Sequence, residues 1–392
     1  MVRSVGINGS DRKPEIRALL IYSTGSVCVE VFLTGKKMEE KNHPAPELSV
    51  IVPVLNEAAE LPGFLVNLRR QQQLVFEIIV VDGGSTDATL ELLQQEQVQV
   101  ISSPRGRGHQ LNAGAAEARG DWMLFLHVDS RFADPLAWRN GIDFLSRSSN
   151  RRIAGHFALS FLTAGQIKGR GYDFYERKAR SSRPETIHGD QGFLLHRTLK
   201  QEVGCFRTDL PVMEDTDFAE RLRAVGQWQL LPAVIQTSTR RFAAEGLWQR
   251  QLLGALMMCF RSIGWHEFFD RAPAVYRMQT DTQRLQLAPF FDLVAELLAT
   301  KPVLQRWHLW YASGSYVLRH GWQLFFAADC RRAFRQGRST ADTPDVWQFW
   351  CVPIYEWLTG NPAARAPAAL LLRLWFAAMR SWLRHKEMVE GC

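Results

Sequence analysis

Acidic side chains punctuate the first half of the chain at regular places. Asn56-Glu57 follows the apolar run Leu48-Ser-Val-Ile-Val-Pro-Val54, Asp82-Gly-Gly-Ser-Thr-Asp87 follows Phe76-Glu-Ile-Ile-Val-Val81, and His127-Val-Asp129 ends Trp122-Met-Leu-Phe-Leu-His-Val128. Three acids brought to one place repel each other unless a cation or hydrogen-bond donors lie among them. A divalent ion with the base and ribose of a nucleotide would satisfy such a set. His127 and Asp129 stand two apart, so in an extended segment their side chains share a face and one metal ion. Imidazole with carboxylate suits Mn2+, whereas carboxylate alone also accepts Mg2+. Each acid also has a plain structural use. Asp82 and Asp87 can make a turn, Ser85 or Thr86 can cap a helix, Glu57 suits a helix N-terminus, and Asp129 can cap the stretch near Leu136. His127 can equally be a hydrogen-bonded core histidine.

Two further segments bear on chemistry. Arg105-Gly-Arg-Gly-His-Gln-Leu-Asn-Ala-Gly114 combines glycines that permit close backbone approach, a helix start with free amides, and arginines that match phosphate oxygens. A solvated basic turn has the same composition. Glu214-Asp215 opens a helix whose expected buried stripe is Phe218, Leu222 and Val225, with Gly226 as its stop. Acids in a first turn also have a structural use, and Asp217 can pair with Arg221 one turn on, which leaves Glu214 and Asp215 less easily explained. Transfer of a group to a hydroxyl needs a base for the departing proton and positive charge for the leaving group. Asp215 is the candidate base, Asp129 the candidate metal ligand, and Arg240-Arg241 the candidate charge beside the leaving group, unless that pair is a surface patch.

The elements that must position these residues alternate. Short β-branched strands alternate with helices expected near 58–72, 88–95 and 109–118, with further strands at Val98–Ser102 and Leu231–Thr237. This is the pattern of an α/β, mostly parallel sheet flanked by helices. Such sheets bind ligands outside the carboxyl ends of their strands, where the acids stand. Beyond about residue 245 the chain reads as helical and rich in Trp and Arg, with eight of its thirteen tryptophans from Trp307 onward. The expected organisation is an extension over 1–45 that is poorly ordered, a catalytic domain over 46–245, and a helical C-terminal region over 246–392. Met38 is an alternative start to Met1. The hydrophobic fraction of 46% and charged fraction of 22% are those of a globular protein with a sizeable core. The net charge of +7 favours anionic partners. Six scattered cysteines form no zinc pattern and suggest a reducing compartment. No apolar run of membrane-spanning length occurs, and Ala18–Leu33 makes a poor signal peptide because it holds Glu30 and no clear cleavage site.

As an ordered set, Ile51-Val-Pro-Val-Leu-Asn-Glu57, Val80-Val-Asp-Gly-Gly-Ser-Thr-Asp87, the Arg107, Asn112 and Gly114 region, Leu126-His-Val-Asp129, Gly189-Asp-Gln-Gly-Phe193 and Glu214-Asp215 resemble glycosyltransferase family 2 over Leu48 to about Arg241. The nearest subgroup shares the Leu-His-x-Asp metal motif, the Gly-Asp-Gln stretch and the Ser238-Thr-Arg-Arg241 ending. The resemblance implies a GT-A (nucleotide-diphospho-sugar transferase, Rossmann-like) fold and inverting transfer of a single sugar. Asp82 would contact the nucleotide base, Asp129 the metal and Asp215 the acceptor hydroxyl. His127 stands where the wider family has aspartate. The expected nucleotide-binding residues are Pro53, Asn56, Glu57, Asp82, Gly84, Arg107 and Gln110. The expected metal ligands for Mn2+ or Mg2+ are Asp129 and His127, and the catalytic pair is Asp215 with Glu214. His188, Asp190, Gln191, Arg240 and Arg241 are expected on the acceptor or leaving-group side, with the acceptor formed by loops over 155–190. Gln249-Arg-Gln-Leu does not match the processive Gln-x-x-Arg-Trp motif, so polymer extrusion is not expected. The nucleotidyltransferase and dinucleotide-oxidoreductase loops are missing after the first strand. The partners implied are a nucleotide-sugar donor and an acceptor for which a lipid is one candidate, and no nucleic acid. The location implied is cytoplasmic, with peripheral attachment to the inner face of the membrane as an option. The non-enzymatic alternative is a membrane-surface or partner-binding protein on a degenerate transferase domain, using the basic aromatic helices at 247–264 and 368–384.

Overall fold

The computed structural model describes residues 16–23, 26–33, 45–96, 98–163, 169–277, 279, 284–337 and 345–390. Strands β1 (Ile16–Ser23) and β2 (Ser26–Leu33) pair antiparallel from Ile16↔Leu33 to Ser23↔Ser26 as a two-stranded sheet. The expected N-terminal extension thus holds a hairpin, while Met38 lies outside the described residues.

Strand β3 (Leu48–Val54) is buried at every position but Pro53, as its near-continuous apolar sequence requires of a strand covered on both faces. Around it lie β4 (Phe76–Asp82), β5 (Gln99–Ser102), β6 (Trp122–Phe125), β7 (Arg131–Phe132), β8 (Ile153–Leu162), β9 (Phe193–His196) and β10 (Gln227–Ser238), in the order β5-β4-β3-β6-β9-β8-β10-β7. The β5-β4-β3-β6 half is parallel. β9 runs antiparallel to both β6 and β8, β10 runs parallel to β8, and β7 closes the edge antiparallel. Helices α1 (Leu61–Leu68), α2 (Thr89–Gln95), α3 (Arg107–Glu117), α4 (Ala137–Ser146), α5 (Arg170–Lys178), α6 (Arg197–Val203) and α7 (Glu214–Val225) connect the strands. One core cluster joins Ile51, Ile79, Val81 and Phe125 of the strands to Leu111 of α3 and Phe218 and Leu222 of α7.

Several local expectations are corrected. The first helix is shorter than 58–72, and the fourth strand ends at Phe125 because residues 127–130 turn, with Ser130 N–H donating to the His127 carbonyl at 3.1 Å. Val225, expected in the buried stripe, is 36% exposed, since it occupies the last turn before the chain reverses at Gly226 into β10. Residue 155 lies inside β8 and not in an acceptor loop.

By contacts the chain divides into two units, one holding residues up to 164 with 178–238, the other 165–177 with 239 onward. The second unit contains α8 (Arg240–Glu245), α9 (Leu247–Ser262), α10 (His266–Arg277), α11 (Ala288–Ala299), α12 (Val303–Arg319), α13 (Trp322–Arg335), α14 (Val346–Thr359) and α15 (Arg365–Glu390). Phe260, Phe268, Phe290 and Phe291 pack with Phe376 and Leu383 of α15 into its main core. The buried Asp329 of α13 accepts the Trp347 and Gln348 amides at 3.0 and 2.9 Å, supplying from a neighbouring helix the cap that α14 lacks. Cys259, Cys330 and Cys351 are thiols outside any disulfide. Among the described residues no helix is long and apolar enough to cross a membrane.

Candidate active site

Parallel pairing sets Val54 opposite Asp82 and Ile51 opposite Phe125, so β3, β4 and β6 end at one edge. There the first two loops clasp each other. Asn56 takes a left-handed backbone (φ 55°), where an Asn is better tolerated than most residues. Its N–H donates to Ser85 Oγ at 2.9 Å and its Oδ1 accepts the Thr86 N–H at 2.8 Å. Glu57 N–H donates to Thr89 Oγ1 at 2.9 Å, and Ala58 N–H to Asp87 Oδ2 at 3.2 Å. Hydrogen bonding, chiefly from the Thr89 hydroxyl, holds the Asp87 carboxyl below its ordinary range. Asp82 is buried, and its carboxylate accepts the Gly84 amide at 2.9 Å and the Ser85 amide at 3.1 Å, which shapes the turn through Gly84 (φ 92°). Pro53 is half-buried in β3.

Helix α3 ties this edge to the remaining acids. Gln110 is buried, and its Nε2 donates to the carbonyls of Val54 at 2.7 Å and Val81 at 2.8 Å, so this expected nucleotide ligand fastens two strand ends together. The glycines of the same helix serve packing. A Cβ on Gly108 would lie 2.3 Å from the Arg207 carbonyl oxygen, and one on Gly114 would lie 2.5 Å from Ile51 Cγ2. Asn112 exchanges two 2.8 Å hydrogen bonds with the Phe206 backbone. Arg107, in the first turn, remains 42% exposed and stands 3.6 Å from Glu214 Oε1.

Helix α7 begins after Met213, whose left-handed backbone (φ 66°) is uncommon for a non-glycine residue. It delivers Glu214 and Asp215 to the Gly189-Asp190-Gln191 turn. Asp215 Oδ2 accepts the Gly189 amide at 2.7 Å, and Oδ1 accepts the Thr216 amide at 2.7 Å. A Cβ on Gly189 would sit 2.8 Å from Asp215 Oδ2 and 3.2 Å from His127 Nε2, so one small space is shared by the imidazole and the carboxylate. His188 Nδ1 lies 3.2 Å from Thr216 Oγ1. Asp129 Oδ2 accepts from Thr237 Oγ1 at 3.2 Å, at the end of β10. Gln191 is buried and donates to the Thr186 carbonyl at 2.7 Å.

The charges are coupled. Burial, reinforced by Asp215 and Asp129, pushes Asp190 up to about 7, and its Oδ1 is buried without a hydrogen-bond partner. Burial also raises Glu214, with Asp215 adding repulsion and Arg107 opposing. For Asp215 burial works upward as well, but His188, Arg107, the Gly189 amide and His127 together bring it below the ordinary carboxylate value. Burial lowers His188 despite the pull of Asp215. Asp190, repelled by Asp215 and Asp129 and holding one orphaned carboxylate oxygen, is in a state that a cation would relieve. Among the described residues no three His, Cys, Asp or Glu side chains stand close enough to hold an ion unaided.

Arg107, His127, Asp129, His188, Asp190, Glu214 and Asp215 are therefore brought together. The premise that an extended segment aligns His127 with Asp129 fails, because residues 127–130 turn. Arg240 and Arg241 open α8 in the second unit. Met213 and Thr237 were not among the expected site residues, and Gly189 was expected only as part of a motif. A hydroxyl at the end of a strand was the available signal for Thr237, and nothing local marks Met213 as left-handed.

Residues 49–198 match the family model described as Glycosyl transferase family 2. A PGL/p-HBAD biosynthesis glycosyltransferase of Mycobacterium tuberculosis is 35% identical over 139 residues, covering 30% of this chain and 54% of its own. An undecaprenyl-phosphate 4-deoxy-4-formamido-L-arabinose transferase of Pseudomonas paraeruginosa is 33% identical over 100 residues, covering 23% of this chain and 30% of its own. The chain thus spans about half or less of the length of these curated relatives. A solved structure, the mannosyltransferase PcManGT from Pyrobaculum calidifontis in complex with GDP-Man and Mn2+, is 19% identical with a TM-score of 0.41, covering 85% of this chain and 88% of that one. Over residues 49–198, with its mixed sheet flanked by helices, the chain is similar to glycosyl transferase family 2.

Proposed function

We propose that this chain transfers a single glycosyl group from a nucleotide-diphosphate sugar to an acceptor hydroxyl, with inversion, at the edge where β3, β4 and β6 end. The observation that carries the reading is the Asp215 carboxylate fixed by the Gly189 amide beside His127, next to the stretch that matches the family 2 model. The clasped Asn56, Glu57, Asp82 and Gly84 loops form the nucleotide side, and Arg107 faces the phosphates. Asp215 stays ionised through the neutral range, so it can accept the hydroxyl proton as that oxygen attacks the anomeric carbon and the carbon-to-diphosphate bond breaks. Glu214 and Arg107 hold Asp215 in its charged surroundings. Asp129, with His127 and Asp190 close by, would hold Mn2+ or Mg2+, which when bound supplies positive charge to the departing diphosphate. The Leu-His-x-Asp subgroup reading rests on this cluster.

The acceptor side is assigned to His188, Asp190 and Gln191. A lipid acceptor is favoured by the undecaprenyl-phosphate relative and by aromatic side chains that α14 leaves in solvent, Trp350 at 67% and Trp357 at 78% exposed. The same exposure favours peripheral attachment to the inner face of a membrane, which is the second reading should the domain be catalytically silent.

A panel of uridine, guanosine and thymidine diphosphate sugars with Mn2+ tests the reading. One donor should raise the thermal midpoint and be turned over. Asp215→Asn should lower kcat by roughly 10²–10⁴-fold while leaving donor affinity nearly unchanged. Asp129→Asn should weaken donor binding in Mn2+. If no donor binds, or Asp215→Asn keeps full kcat, the reading fails.

A further inference from the structure

The second unit has a cavity of about 570 Å³ among α11, α12 and α15. Its walls are apolar, made by Leu298, Trp307, Trp310 and Phe376 among others. Four guanidinium groups also line it, from Arg306, Arg373, Arg380 and Arg384, and no acid is among the lining residues. Arg380 and Arg384 converge on one carboxylate, Asp292, at 2.6 and 2.8 Å, so that pair keeps a surplus positive charge. Arg373 lies over the Trp307 ring at 5.5 Å, which holds its guanidinium in place without neutralising it. Positive charge concentrated in a concave apolar wall costs self-repulsion and does not serve packing. It matches a ligand that brings an anion and a hydrocarbon together.

Helical spacing extends the apolar part beyond the cavity. On α15, Leu370 stands three residues before Arg373 and is 48% exposed, and Leu374 beside it is 60% exposed. On α12, Leu304 next to the lining Val303 is 68% exposed. A free phosphate would use the arginines and leave these surfaces wet. A stacked or threaded nucleic acid would be expected on an open basic track, whereas here the guanidinium groups edge one walled cavity.

We propose that this groove binds a lipid phosphate, with the phosphate among Arg306, Arg373, Arg380 and Arg384 and the acyl or isoprenoid chain along Trp307, Phe376 and the Leu370 side of α15. Arginine suits this task because its planar fork meets two phosphate oxygens at once and is more weakly hydrated than an ammonium group. The inference concerns the second unit and does not depend on the transfer reaction.

The test is titration calorimetry on the full chain with dihexanoyl phosphatidic acid below its micelle concentration, with dihexanoyl phosphatidylcholine, inorganic phosphate and a short single-stranded oligonucleotide as comparisons. The expected result is saturable binding of phosphatidic acid at one per chain, with phosphate and phosphatidylcholine at least tenfold weaker. Arg306→Gln with Arg373→Gln should weaken that binding by about tenfold or more, as expected for lost charge-assisted hydrogen bonds, with the thermal midpoint unchanged. Ala377→Glu adds a carboxylate at an exposed lining position of α15 and should act the same way, which keeps the test alive if the double variant fails to fold. Arg70→Gln, in the first unit, should have no effect. Equal affinity for inorganic phosphate, equal affinity for phosphatidylcholine, tighter oligonucleotide binding, or full affinity in the Ala377→Glu chain each overturns the proposal.

Discussion

Asp190 is a residue whose state is set by burial and by its charged neighbours. Its ordinary carboxyl value of 3.8 rises to about 7 in the folded chain, because burial and the charges of Asp215 and Asp129 disfavour ionisation. The sign of the consequence follows from proton linkage. Below pH 3.8 both folded and unfolded chains hold the proton and Asp190 carries no penalty. Between about 4 and 7 the unfolded chain releases the proton that the folded chain retains, so stability falls as pH rises through that window, and the loss is complete above about 7. Asp190→Asn removes the titration, so its thermal midpoint should exceed that of the parent by several degrees at pH 8, at about 2–4 °C for each kcal/mol relieved, and by less at pH 5. An equal gain at both pH values would show that repulsion is not the cause. The Gly-Asp-Gln motif marked this residue in the sequence. That its Oδ1 would be buried and unpartnered was not legible, because the charges that isolate it come from positions 129 and 215.

Among the elements, α3 shows how a motif divides between chemistry and packing. Arg107 stays partly exposed and is the residue proposed to face phosphate, while Gly108, Gln110, Asn112 and Gly114 are consumed by strand ends, the 206–207 backbone and Ile51. Gly108→Ala forces a Cβ onto a backbone carbonyl, which cannot swing aside as a side chain can, and should cost about 1–3 kcal/mol. Gly254 is the contrast. It lies within α9 with nothing within 4 Å of an added Cβ, so Gly254→Ala should stabilise by roughly 0.5–1 kcal/mol. Calorimetric midpoints moving in opposite directions are expected, and an unchanged Gly108→Ala midpoint would refute the close-packing account. Glycine spacing in the sequence announced close approach correctly, but not what approaches.

At the scale of the whole molecule, each unit has a main core of its own. Phe291 is fully buried in the second unit and stacks on Phe376 with centroids 5.1 Å apart, so Phe291→Ala should cost about 3–5 kcal/mol. Its nucleotide affinity should stay within about twofold of the parent at a temperature where the variant is folded, and a tenfold loss measured by titration would contradict the separation of cores. The sequence by itself determined some elements of the first unit nearly to the residue, Leu48–Val54 and the Glu214 helix start among them, because burial on both faces of a strand and along one face of a helix leaves a local record. It also put the acids at strand ends, since parallel strands share one edge. Only the tertiary structure decided which of them meet: that His127 shares a space with Asp215, that Gln110 fastens strands, and that four arginines edge one apolar groove. Periodicity is written in neighbours three or four residues apart, whereas electrostatic coupling depends on distances between residues far apart in the chain, which only the packed elements set.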